Sequence, residues 1–558
     1  MPKTILFAGS ASQGIKTATD AFPFVPLSLG MHTSSSQFYD SSPRKGAMGG
    51  DVVIGGDCQN YYVDCLVALS QEGLEATKDR VKEDTIVLYD NSEVSLEGLG
   101  ISSKKQIGID FKAVSNSKFG NLASMGATLK IMGVKPEQKQ ALEQLLKEKA
   151  DVDTAAVMAG FDSVAESLDD ILDFNNKKSV SFNDSYYLMG NEAAVFGAMA
   201  AGANFYAGYP ITPSSEAMHK WSEVSQLSDI AGYLQGSSEE HAVGVMLGAN
   251  AAGAKGWTAT SGPGLDRMIE QINWAVTSRT PFVIYNVQRG GPSTGMPTLT
   301  QTSDLFTAVY GGHGDHPIFV LTPSTPQEIY EIMKLAFKIA WSYKVGVIIN
   351  SSKEVSQRKN IVRLCLNDFD DKNLRMLPLK KGHRTGNTAN DSGTPANRAA
   401  VQWLNDRFNK FEEAYDAFSI ADFVNIEAEN SQNPYAWRSL PYNIFKNMKF
   451  EPAKLKSAPE EVYICYGETV PVVKEALGKN GLVALKSVYP YPISIIQQLN
   501  SLGTKKILVA ECNRGVRLHS ERGQLANKVR QYFKGEVVSL SKWDGFPMYP
   551  DRLEEYKE

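Results

Sequence analysis

Three stretches of this 558-residue chain alternate short β-branched runs with helical runs. No other feature restricts its fold as much. Strands that follow one another through helices pair in parallel, and helices then cover both faces of each sheet. The length exceeds what a single core holds, so the expected class is α/β with three parallel-sheet domains. The first stretch, 1–183, has strands at Thr4–Ala8, Asp51–Ile54, Cys65–Leu69 and Thr85–Tyr89 and a helix at Pro136–Lys149. The second, 184–355, opens with helix Asn191–Ala201 and a stiff loop. It continues through strands Trp257–Thr260, Pro281–Gln288, Ile318–Leu321 and Val345–Ile349, separated by helices such as Leu265–Thr277 and Pro326–Trp341. The third, 460–558, repeats the alternation around strand Lys506–Ala510 and helix Gly523–Phe533. Between the last two, the polar, Asn- and Asp-rich residues 356–459 read as an irregular connection carrying one helix, Asn397–Phe411.

Composition narrows the function classes. A net charge of −5 and a pI near 5.9 leave no footprint for nucleic acid or an anionic membrane. No apolar run approaches the ~18 residues of a membrane span, and MPKTILFAGSASQG reads as a first strand. The five cysteines form no C-x-x-C pair, which argues against a disulfide framework, a zinc site or an iron–sulfur site within this chain. A reducing cytoplasm is the expected compartment.

The segment most informative about chemistry is GYPITPSSE, Gly208–Glu216. Tyr209 and Thr212 both precede proline, which pushes them towards extended backbone. Tyr209, Pro210, Ile211 and Thr212 therefore form a rigid wall that can hold a hydroxyl and backbone groups against a ligand. The alternative is a plain helix start with Thr212 as N-cap. In QGSSEEHAVGVMLGANAAGAKG, Ser237 and Glu240 fit a capping box, which leaves Glu239 without a structural task. The helix that follows is apolar nearly all round and reads as buried. A carboxyl at the mouth of such surroundings can share a proton with a ligand nitrogen. In TATSGPGLDRM a strand ends in a Gly-Pro-Gly turn that opens a helix, so Ser261 and Gly262 can present backbone N–H groups to an anion or a planar ring. In NVQRGGPSTGMPT, Arg289 lies just past a buried strand, where open α/β sheets place ligand groups, and it can pair with a carboxylate. GSASQGIKT, Gly9–Thr17, nearly spells a phosphate-binding loop, but Ile15 separates Gly14 from Lys16 and spoils the aim of the lysine.

Together these segments resemble the α subunit of the 2-oxoacid:ferredoxin oxidoreductases, with a γ domain fused at its N-terminus. The resemblance rests on GYPITPSSE, the Glu239 helix, TATSGPG, NVQRGGPSTGMPT, YGGHGD (310–315), VYPYPI (488–493), GQLANKVR (523–530) and KWDGFP (542–547), in order. It implies a γ-like domain at 1–183, a thiamine-pyrimidine-binding domain at 184–355 and a transketolase C-terminal-like domain at 460–558. It also implies thiamine diphosphate and coenzyme A, with oxidative cleavage of a 2-oxoacid, 2-oxoglutarate above others, and electrons leaving to ferredoxin. Glu239 matches the glutamate that hydrogen-bonds the aminopyrimidine N1′. Thr212 and Arg289 match residues that bind the substrate's carbonyl and carboxylate. Tyr209, Pro210, Ile211, Ser261 and Gly262 would line the cofactor.

The chain contains no G-D-G segment of the kind that holds Mg²⁺ and the diphosphate, and no four-cysteine cluster site. The resemblance therefore assigns Mg²⁺, the diphosphate and the 4Fe-4S cluster to a partner β subunit, in a dimer of αβ heterodimers. Two departures stand out. Leu299 replaces an arginine common among relatives, and GSASQG replaces a glycine-richer loop. Pyruvate or another 2-oxoacid stays open as substrate, and so does a non-catalytic assembly role.

Overall fold

The computed structural model describes residues 2–39, 46–116, 120–165, 167–172, 184–227, 231–314, 317–365, 421–429, 453–513 and 523–557. The helix expected at Asn397–Phe411 lies outside them. The chain forms two compact units. One comprises 1–187, 358–361 and 549–552; the other comprises 188–357, 362–548 and 553–558.

In the first unit an eight-stranded sheet runs in the order Lys105–Ile109, Ile86–Asp90, Cys65–Ala68, Lys3–Ser10, Ala47–Ile54, Thr33–Tyr39, Lys359–Arg363, Ser185–Met189. The first four strands pair in parallel. From Lys3–Ser10 onwards, the pairings with Ala47–Ile54, Thr33–Tyr39 and Lys359 are antiparallel, so this sheet is mixed. Strand Thr33–Tyr39, TSSSQFY, carries no apolar run for sequence reading to detect, yet Thr33, Ser34 and Ser35 are buried. The apolar residues of the other strands meet helices Ile15–Ala21, Asn121–Ile131 and Thr154–Asp162 in one core. The last two helices cross at Gly126 and Gly160. A Cβ on either would come within 1.8 Å of a carbonyl oxygen of the other helix, so only glycine permits the crossing. The segment Tyr549–Arg552 completes this unit. The Asp551 carboxylate accepts the backbone N–H groups of Tyr61 and Tyr62 at 2.8 and 3.1 Å.

The second unit holds a seven-stranded and a five-stranded sheet. The seven run Ser487–Tyr489, Ile318–Leu321, Gly346–Ser352, Phe282–Gln288, Gly256–Thr260, Phe205–Gly208, Gly232–Gln235, all parallel except the first. The five run Ala421–Val424, Gly481–Leu485, Glu461–Tyr466, Lys506–Glu511, Glu536–Ser541, parallel except for the first pairing. The central strands of both sheets are buried along their length apart from a half-exposed first residue in Glu461–Tyr466 and Lys506–Glu511, as parallel strands covered by helices must be. The connection is less irregular than its composition implies. Its described parts are the strands Lys359–Arg363, Ala421–Val424, Glu427–Glu429 and Lys454–Ser457. Polar side chains conceal them because these strands have an exposed or half-exposed face.

Candidate active site

The carboxyl ends of strands Phe205–Gly208, Gly256–Thr260 and Phe282–Gln288 are neighbours in the sheet. The loops that leave them carry the three segments singled out from sequence.

From Gly208 the chain passes through Tyr209 and Pro210, both exposed, and Ile211 and Thr212, both half-buried. Helix Ser215–Ser225 then begins, with Ser214 rather than Thr212 at its N-cap. Thr212 is thus free of the capping role. Pro213 precedes the cap and follows a cis peptide bond. The loop is pinned from below by Asn191, whose amide donates to Pro213 O (2.8 Å) and to Glu216 Oε2 (2.9 Å). Gln357 holds the other Glu216 oxygen at 3.0 Å. Glu216 is therefore an anchor of the loop.

Glu239 is the first residue of helix Glu239–Ala251 and only 6% exposed. The helix is capped by Ser238, whose hydroxyl accepts the His241 N–H at 3.2 Å. The expected capping box between Ser237 and Glu240 does not form, because the cap falls one residue later and the Ser237 hydroxyl meets His241 Nδ1 at 3.0 Å instead. Nor is the helix buried all round. Glu239, Ala242, Val243, Met246 and Leu247 face inward, while His241 and Gly248 are exposed and Gly244 and Val245 half-exposed. Arg267 lies 3.7 Å from Glu239 and 3.8 Å from Glu240, but its side chain is 58% exposed, so solvent screens both contacts.

Helix Gly262–Ser278 starts in the Gly-Pro-Gly turn with Ser261 at its N-cap. A Cβ at Gly264 would lie 2.1 Å from Thr260 Oγ1 and 2.8 Å from Glu239 Cγ. The turn's backbone therefore lies directly against Glu239. The buried hydroxyls of Thr258 and Ser261 have no hydrogen-bond partner among the described residues.

Arg289 follows strand Phe282–Gln288 and is buried. Its Nη1 donates to Thr212 O at 2.6 Å and its Nη2 to Thr294 O at 3.1 Å. This ties the Gly208–Glu216 loop to the turn after the strand. Its buried Nε finds no partner among the described residues. A buried donor left unmatched is costly, so this edge of the guanidinium fits an acceptor from a ligand. Burial loosens its hold on its proton, and the Asp304 and Glu239 carboxyls oppose that.

Sequence reading missed Asp304. Burial, first of all, pushes its carboxyl up to about 6; Asp266 adds to the rise, while the Asn286 amide and Arg289 resist it. Its only sequence signal is an aspartate ahead of a short helix, which ordinarily reads as a cap. Leu299 packs against Gly545 of the KWDGFP turn. In the first unit, Gln13 and Asn121 close the Gly9–Thr17 loop through bonds to Ser10 N, Leu69 O and Gly14 O, and Lys16 is exposed. The described residues contain no group of three His, Cys, Asp or Glu side chains that could hold a metal ion, and no helix long and apolar enough to cross a membrane.

Residues 196–428, which carry Thr212, Glu239, Ser261, Gly262, Arg289 and Asp304, match the family described as pyruvate flavodoxin/ferredoxin oxidoreductase, thiamine diphosphate-binding. Residues 4–163 match the pyruvate ferredoxin/flavodoxin oxidoreductase family. The 2-oxoglutarate synthase subunit KorA of Archaeoglobus fulgidus is 40% identical over 378 residues, 66% of this chain and 98% of that protein. This chain belongs to the 2-oxoacid:ferredoxin oxidoreductase family, as an α subunit. Its N-terminal third adds the γ-like domain, and it works as one subunit of a multi-subunit enzyme. A second relative, the KorA subunit of Methanocaldococcus jannaschii, is 30% identical over 397 residues, again 66% of this chain and 98% of the relative. The fold is that of a 2-oxoglutarate:ferredoxin oxidoreductase from Magnetococcus marinus, solved with 2-oxoglutarate, coenzyme A and succinyl-CoA bound. That structure has a TM-score of 0.78, 23% identity, and coverage of 100% of this chain and 99% of its own.

Proposed function

We propose that this chain is the α subunit of an enzyme that converts 2-oxoglutarate, coenzyme A and oxidised ferredoxin to succinyl-CoA, CO₂ and reduced ferredoxin. It would bind the pyrimidine end of thiamine diphosphate. The observation that carries the reading is the joining of buried Arg289, its Nε–H unmatched, to the Thr212 carbonyl, while Glu239 packs against the Gly262–Gly264 turn at the neighbouring strand end. The two relatives named above, both 2-oxoglutarate synthase subunits, favour that substrate over pyruvate.

The residues present fit the cofactor. The glycine turn packs directly against Glu239, so backbone and carboxyl present one wall, and the Ser261 hydroxyl is buried and unmatched. Thiamine, when bound, supplies the electron sink for decarboxylation. Glu239 would hold a proton at the ring nitrogen N1′, with Tyr209, Pro210, Ile211, Ser261 and Gly262 lining the ring. Thr212 and Arg289 would orient the 2-oxoacid through its carbonyl and carboxylate. The diphosphate, Mg²⁺ and 4Fe-4S cluster would belong to a β subunit, because the chain has no G-D-G segment and no cysteine cluster. A dimer of αβ heterodimers in the cytoplasm, passing electrons to ferredoxin, completes the reading. The domain division would be γ-like 1–183, pyrimidine-binding 184–355, connection 356–459 and transketolase C-terminal-like 460–558.

The test is a panel of 2-oxoacids assayed with coenzyme A and a low-potential acceptor, using the complex isolated from its source. Preference for 2-oxoglutarate is the expected result. Preference for pyruvate would replace the substrate, and turnover of none would leave a non-catalytic assembly subunit.

A further inference from the structure

The Gly262–Gly264 turn lies between two carboxyl groups. Glu239 flanks Gly264. Asp304 flanks Gly262 so closely that a Cβ there would come within 2.7 and 2.8 Å of its two oxygens. Asp304 precedes helix Leu305–Tyr310, yet its side chain does not cap that helix. It turns to Asn286 instead, whose amide nitrogen donates to Asp304 Oδ2 at 3.0 Å and to Asn350 Oδ1 at 2.7 Å. The Asp304 backbone N–H donates to Gln288 Oε1 at 3.0 Å. Strand Phe282–Gln288 thus holds the Asp304 carboxyl through Asn286 and the Asp304 backbone through Gln288, and the same strand leads into Arg289. Arg289 senses both carboxyls. The other charged group that acts on Asp304 is Asp266 of helix Gly262–Ser278; Arg267 of that helix sits beside Glu239 and Glu240 instead.

We propose that Asp304 is a specificity-determining residue, whose charge opposes that of an incoming substrate carboxylate at Arg289 and so sets how strongly the site takes up anions. The inference rests on the assignment of Arg289 to the substrate carboxylate. Coulomb energy scales with the product of charges, so the opposition is greater for a dianion than for a monoanion. Asp304 touches neither ligand in this scheme. It acts through the field at the guanidinium.

The experiment is an equilibrium titration of the purified complex with two non-reacting acids, butyrate and glutarate, comparing the natural chain with Asp304→Asn. Asparagine keeps the shape, and its carbonyl still accepts from Asn286. The variant should bind butyrate about threefold and glutarate about tenfold more tightly at low salt, with both gains shrinking as ionic strength rises. Unchanged or weaker binding, equal gains for the two acids, or gains insensitive to salt would overturn the proposal. The natural chain supplies a second measurement if the variant folds poorly. Its glutarate affinity should rise as pH falls from about 7.5 to about 6.3, where glutarate stays a dianion and Asp304 takes up its proton. The rise should survive Asp266→Asn, since that neighbour faces the same turn; a flat profile would count against the proposal. Should the complex turn over pyruvate and not 2-oxoglutarate, the substrate reading fails while the glutarate-to-butyrate comparison still decides the role of Asp304.

Discussion

Adding one methyl group at Gly264 tests the geometry of the site more sharply than removing any side chain. In Gly264→Ala the new Cβ would sit 2.1 Å from Thr260 Oγ1, 2.8 Å from Glu239 Cγ and 3.2 Å from Glu239 Oε1. Thr260 ends a strand buried along its whole length and cannot retreat. Helix Gly262–Ser278 or the Glu239 side chain must therefore yield, by about 1 Å. Forcing a methyl into such packing costs about 1–3 kcal/mol. A displacement of that size at a proton-holding carboxyl costs about 10²-fold in rate. Stability and kcat should fall together, and thiamine diphosphate affinity should fall with them. Gly248→Ala on the Glu239 helix is the matched control. Nothing lies within 4 Å of its would-be Cβ, so the folded chain should gain about 0.5–1 kcal/mol from helix propensity alone. Thermal unfolding of both variants, with cofactor titration by tryptophan fluorescence, makes the comparison. A Gly264→Ala protein with natural stability and natural cofactor affinity would refute the claim that the turn lies against Glu239.

Further perturbations separate the roles of the remaining side chains. Glu239→Ala should lower turnover of the reconstituted complex by about 10²–10⁴-fold, the usual range for a lost proton-transfer group, while the subunits still copurify. Near-natural rates would remove Glu239 from the chemistry. Arg289→Leu should raise KM for the 2-oxoacid more than it changes KM for coenzyme A, and equal changes in both would argue for a loop-holding role through Thr212 O alone. Asp304 has a folded-state pKa raised to about 6, so the native state binds its proton more tightly than the unfolded chain does. Its ionisation therefore destabilises the fold progressively as pH rises from about 4 to about 6, by at most ~3 kcal/mol and less where solvent screens it. Asp304→Asn should then unfold at higher denaturant concentration than the natural chain above pH ~6 and show no such gain near pH ~4; a pH-independent difference would contradict the burial of this carboxyl.

The parts of the fold legible in the sequence are those where one physical signal dominates. Phe282–Gln288 and Lys506–Glu511 are apolar runs bounded by turns, because both faces of a parallel strand are covered. Thr33–Tyr39 and the strands within the connection were hidden, since backbone pairing with a neighbour holds them and they are short or interrupted by polar residues, with no continuous apolar run. Two adjacent serines, Ser237 and Ser238, both offer a cap, and only the backbone decides between them. The Glu239 helix reads as buried because every face is apolar or small, but within this chain one face is uncovered. Of the site, the loop Tyr209–Thr212, Glu239 and Arg289 were legible as separate segments. That Arg289 grips the Thr212 carbonyl was not, because 77 residues separate them and the contact is made by the sheet order. Asp304 was invisible for the same reason. Its environment is Gly262, from the end of one strand, and Asn286 and Arg289, from the end of its neighbour.

The central claim is that this chain is half of a thiamine site in a 2-oxoacid:ferredoxin oxidoreductase. It is tested most directly by isolating the complex through this subunit and measuring ferredoxin reduction with 2-oxoglutarate and coenzyme A, then repeating the assay with this chain alone. Reduction by the complex, with none by the isolated chain, is the predicted outcome. A complex that reduces ferredoxin with no 2-oxoacid, or an isolated chain as active as the complex, would contradict it.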